Sequence, residues 1–107
     1  MRNARIIIAA ILFLAGAALS QAREYTGWKA EVEQLIIEGK YAAAQEKLKA
    51  AEMAGNSDAD FYFLRAKART GAGKFGSSLS DLTIALEKEP KFVEAMGHKA
   101  VVELNIG

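Results

Sequence analysis

His98 is the single histidine of the chain; Glu94 precedes it by one helical turn, and Glu103 follows on the same stretch. A carboxylate and an imidazole at that spacing share one face of a helix, where they can hold a metal ion between them or relay a proton. Such a centre would make the chain a small metal-binding or hydrolytic protein. Two or three candidate ligands on one undistinguished helix do not complete a site, and a structural histidine is the expectation. Elsewhere no nucleophile stands beside a base, no carboxylates converge, and the chain has no cysteine. Gly71 and Gly73 join two helical patterns rather than following a strand, so they do not form a phosphate-binding loop. The expected function is therefore not enzymatic, with no metal and no cofactor.

The elements that carry these residues read as helices joined by short turns. Pro90 is the only proline, and glycines fall between periodic segments. Trp28, Val32, Leu35 and Ile36 follow helical steps as far as Gly39. Tyr41, Ala44, Leu48, Ala51 and Ala54 do the same up to Gly55, helped by the alanine-rich stretch around them. Ser57 and Asp60 have the spacing of a capping box that opens a third helix, running to about Thr70. Phe75, Leu79, Leu82, Ala85 and Leu86 line a fourth, which Pro90 stops and whose polar face holds Asp81, Glu87 and Lys88. Phe92, Met96, Ala100 and Leu104 mark a fifth, with Gly97 inside it. Lys29 with Glu33, and Glu87 with Lys91, have the spacing of solvated helix ion pairs.

These helices repeat. Gly39, Gly73 and Gly107 are separated by two intervals of 34 residues, and the same offset relates Tyr41 to Phe75, Leu48 to Leu82, Ala51 to Ala85, and Trp28 to Tyr62 and Met96. A fixed period in this range means one supersecondary unit in tandem, each copy needing its neighbour to bury an apolar face. The pattern resembles the tetratricopeptide repeat (TPR), with copies at residues 25–58, 59–92 and, in part, 93–107. Trp28, Gly39, Tyr41, Ala44, Leu48 and Ala51 carry it in the first copy; Tyr62, Ala66, Ala68, Gly73, Phe75, Leu82, Ala85 and Pro90 in the second; Met96, Ala100 and Gly107 in the third. Departures are Glu31-Val32 and Arg65-Ala66 in place of the family's Leu-Gly pair, and Ser78 in place of an alanine. The resemblance implies an all-α fold: tandem antiparallel helix hairpins forming an α-solenoid of about two and a half repeats.

It also implies a concave groove lined by the first helix of each hairpin, here Lys29, Glu33 and Ile36, then Phe63, Lys67 and Thr70, then Val101 and Leu104. Glu33 and Lys67 stand where family members that clamp a C-terminal carboxylate carry asparagine. An apolar centre with a polar rim, suited to an amphipathic helix or an extended segment, is implied instead. The competing expectation is that Ile36 and Phe63 pack against neighbouring helices. The implied function is a non-catalytic scaffold or adaptor for another protein or peptide. Met96, Val101, Val102, Leu104 and Ile106 leave the last helix apolar enough to expect self-association or partner docking through it. An alternative is that these residues open a longer repeat protein.

Residues 1–22 read as a targeting segment rather than part of that domain, which spans residues 23–107. Arg2 and Arg5 precede an uncharged run over residues 6–19, and Ser20-Gln21-Ala22 supplies small residues at the two positions a signal peptidase reads. The run is shorter than a bilayer span, so cleavage is expected, with an uncleaved anchor facing the periplasm as the alternative. The expected location is the periplasm or outside the cell. The full chain carries 14 basic and 13 acidic residues; without Arg2 and Arg5 it has 12 against 13. A near-neutral mature chain has no basic face for nucleic acid or anionic lipid. Membrane contact is expected only if the N-terminal segment is retained.

Overall fold

The computed structural model describes residues 23–106. The expected signal segment and the turn glycine Gly107 lie outside them. The described residues are all-helical, with no strand: α1 Gly27–Ile37, α2 Tyr41–Met53, α3 Ala59–Gly71, α4 Phe75–Lys88 and α5 Val93–Ile106. Each helix packs on the next, and α3 also touches α1 and α5, while no comparable contact joins α2 to α4. The first, third and fifth helices thus stand side by side.

The turns after α1 and α3 are closed identically. Gly39 and Gly73 have φ of 76° and 79°, the left-handed region where a Cβ is costly. Lys40 N donates to Leu35 O at 2.8 Å and Gly39 N to Ile36 O at 3.0 Å, and the same pair recurs from Lys74 to Arg69 and from Gly73 to Thr70 at the same distances. This is the Schellman closure, which satisfies carbonyls left open at a helix end. At the start of α3, Asp58 rather than Ser57 is the cap, accepting from Phe61 N at 2.9 Å. Asp60, expected to complete a box with Ser57, turns instead to Arg23 and Lys29. α4 ends at Lys88, and Glu89 adopts an extended conformation, as the ring of the following Pro90 demands. The helix containing Gly97 is continuous.

Two apolar clusters form the interior. Val32, Ala44, Leu48, Phe61, Leu64 and Ala68 make the first, across α1, α2 and α3. Ala59, Phe63, Ala66, Leu82, Ala85, Phe92, Ala95 and Val102 make the second, across α3, α4 and α5. Two faces of α3 supply them, one from Phe61, Leu64 and Ala68, the other from Ala59, Phe63 and Ala66, and Tyr62 packs against both clusters. Small residues at 44, 66 and 85 bring the backbones close, and each buried leucine contributes about 1.5–3 kcal/mol. At the edge, the Tyr41 ring lies where a Cβ on Gly71 would stand, so α2 and α3 meet through an aromatic ring on bare backbone.

Asp81 departs from expectation. The sequence places it on the polar face of α4, yet it is 1% exposed. Arg65 on α3 reaches its carboxylate with Nε at 3.2 Å from each oxygen and Nη2 at 2.9 Å, while Arg69, one turn on, donates Nη1 at 2.8 Å. The fork and the second guanidinium satisfy the carboxylate and fasten α4 to α3.

Candidate functional site

The expected groove residues lie on α1, α3 and α5, and most of them are engaged with other parts of the fold. Lys29 Nζ donates to Asp58 Oδ2 at 2.7 Å and Asp60 Oδ2 at 2.9 Å, across to the start of α3 rather than along its own helix to Glu33. Burial opposes its charge, but the two carboxylates outweigh that and hold its pKa above the ordinary lysine value. Glu33 meets Lys67 of α3 at 3.8 Å, a loose pair worth at most about 1 kcal/mol. Ile36 is half-buried against the first cluster.

Phe63 belongs to the interior and not to a groove. It is 3% exposed, with its ring 4.8 Å from that of Phe92 and edge-on to His98 at 6.1 Å. The approach of α5 covers it, and the competing expectation of helix packing holds for this residue.

Thr70 connects α3 to α5 through hydroxyls. Thr70 Oγ1 lies 3.0 Å from His98 Nε2 and 2.6 Å from Ser78 Oγ, and Ser78 Oγ donates to Ala66 O at 2.9 Å. Each hydroxyl has one proton and Thr70 Oγ1 also lies 2.8 Å from Ala66 O; with the Thr70 proton given to Ser78 or to that carbonyl, Thr70 accepts from His98 Nε2–H. Nε2–H is present in that tautomer of the neutral imidazole and in the imidazolium alike, so it is the buried setting that selects the neutral form. Burial, and secondarily the positive charge of Lys67, push the His98 pKa below its ordinary value. The unfolded chain consequently takes up the proton first as pH falls, so this contribution to stability is intact above about pH 6.5 and diminishes below it. The urea midpoint should fall between pH 7 and pH 5 more steeply in the natural chain than in His98→Gln. Equal slopes would show that His98 is not the titrating group.

Glu94 and His98 do not converge. Glu94 Oε1 accepts from Arg23 N at 3.1 Å while His98 turns to Thr70, and Glu103 lies 4.0 Å from Lys99. Among the described residues no three His, Asp or Glu side chains are placed to hold a metal ion. A cavity of about 280 Å³ between α2 and α3 is lined by Leu48 and Phe61 together with Lys49, Glu52, Arg65 and Arg69. Its two arginines are already committed to Asp81, and Arg65 also to Glu52.

Val101 and Leu104 remain open, 51% and 82% exposed. They extend an exposed apolar stripe on α5 through Val93, Met96, Gly97 and Ala100, at the steps of one helix face. Exactly one repeat earlier the same positions are Ala59, Tyr62, Phe63, Ala66, Lys67 and Thr70, none of which is exposed. The sequence singled out Met96, Val101 and Leu104 but not the stripe, whose small members Gly97 and Ala100 carry little apolar signal of their own. No family model, curated protein or solved structure matches the chain.

Proposed function

We propose that the chain is an exported, TPR-like repeat module that binds another protein in the bacterial envelope and catalyses no reaction. The period of 34 residues, the matching turns at Gly39 and Gly73 one period apart and the contacts of α3 with α1 and α5 support the repeat reading. The bare stripe on α5 is the observation that carries the interaction. On α3 the equivalent face is covered, with Ala66 buried beside Leu82 and Ala85 of α4. On α5 the small residues Gly97 and Ala100, flanked by Val93, Met96, Val101 and Leu104, offer the same shape to an incoming helix. The partner accordingly presents an amphipathic helix, from a second copy or from another protein.

The test uses the full chain and the double variant Val101→Glu, Leu104→Glu. Cross-linked capture from envelope extracts and a sedimentation series over rising concentration should yield a specific partner or a dimer with the natural chain and neither with the variant. The variant should keep its stability, since both side chains are already in water. A natural chain that stays monomeric and captures nothing would sink the reading. The same bare stripe fits a second reading, in which these residues open a longer array and the covering helix follows Gly107. A coding sequence that continues with an aromatic residue two positions on would favour it.

A further inference from the structure

The first described residue is held on several sides. Arg23 Nη1 donates to Asp60 Oδ1 at 2.8 Å, its other terminal nitrogen pairs with Glu89, and its guanidinium lies 3.7 Å over the Phe92 ring. Its backbone nitrogen donates to Glu94 Oε1 at 3.1 Å, a contact across 71 residues of chain. The ion pairs of this cluster are unbalanced. Asp58, Asp60, Glu89 and Glu94 supply four carboxylates, against which stand Arg23 and Lys29. Tyr25 feels the surplus: its hydroxyl donates to Asp60 Oδ1 at 3.3 Å, and burial, then the charges of Asp60 and Glu94, push its pKa well above the ordinary phenol value.

One further positive charge at the backbone nitrogen of Arg23 would reduce that deficit, and Ser20-Gln21-Ala22 immediately precedes it. We propose that a signal peptidase cuts between Ala22 and Arg23, and that the α-ammonium released on Arg23 forms an ion pair with Glu94 that clamps the new N-terminus onto α5. The clamp rests on the export reading above. In the cut, water adds across the amide: the carbonyl carbon of Ala22 gains the oxygen and leaves as a carboxylate, and the nitrogen of Arg23 becomes an ammonium. An amide donating one hydrogen bond to Glu94 is thereby replaced by a cation with three donors, a stronger contact in this partly buried setting. Removal of the leader then stabilises the exported fold as well as freeing it from the membrane.

Four full chains, expressed in an exporting bacterium, test this: the natural sequence, Glu94→Gln, the uncleavable Ala22→Leu, and the double variant. The natural product should have the mass of residues 23–107. Glu94→Gln should lower the Tm of the processed chain by about 4 °C or more, yet barely move that of the uncleaved pair, because the glutamine oxygen still accepts the amide N–H. The α-amine of the natural product should also titrate above the ordinary range of about 7.7–8.0. A product with any other N-terminus overturns the cut, and a chain recovered only from the cytoplasm overturns the export reading. Correct processing with equal Tm losses in both backgrounds, or an ordinary α-amine titration, overturns the clamp alone.

Discussion

Asp81→Ala should remove about 3–5 kcal/mol of stability, a large part of what a domain this size possesses. The carboxylate is buried and accepts from two guanidinium groups, which are themselves mostly covered. Truncating it leaves Arg69 without its counter-charge and Arg65 with only the exposed Glu52. Burial opposes the charge on Arg65, and it is chiefly Asp81 that outweighs this and holds the guanidinium pKa above its ordinary value. Urea unfolding at neutral pH should show the loss as a lower midpoint with little change in slope. A cost below about 1 kcal/mol would mean that both arginines swing into water and that the fork is a surface pair.

Phe92→Ala should cost about as much, ~3–5 kcal/mol, by a different route. The ring is buried among Phe63, Ala95 and the rest of the second cluster, and its outer face carries the Arg23 guanidinium. Truncation opens a cavity that the short segment between Pro90 and α5 cannot easily collapse into, and removes the platform beneath Arg23. Combining Phe92→Ala with Arg23→Ala should therefore cost less than the sum of the two separate losses, because the second change removes a contact the first has already undone. Simple additivity would separate Arg23 from the core.

Much of this architecture is written in residues whose physics is local. Gly39 and Gly73 mark left-handed turns because few other residues tolerate them, and Pro90 ends a helix by forcing Glu89 into an extended backbone. Apolar steps such as Val32 and Leu48 point inward whatever the neighbouring helix. Structure departs from local expectation where a partner decides. Asp81 looks like any acid on a solvated helix face until Arg65 and Arg69, four residues apart on α3, are set opposite it; that pair of arginines was the available signal. Lys29 has a local partner in Glu33 but prefers Asp58 and Asp60, which only the packing of α1 against α3 brings near. Phe63 falls at a position the repeat alignment assigns to a groove, and it is the approach of Phe92 and His98 that buries it.

The double loyalty of α3 has a consequence for how the molecule comes apart. Since opposite sides of that helix belong to separate clusters joined through Tyr62, loss of α1 from one end or of α5 from the other strips a single flank and leaves the remaining flank covered. Apart from the Arg23 contacts that link the two ends, the outer helices can therefore unzip one at a time, as nearest-neighbour arrays do. The slowest-exchanging amides should lie in α3, and deuterium should enter α1 and α5 first.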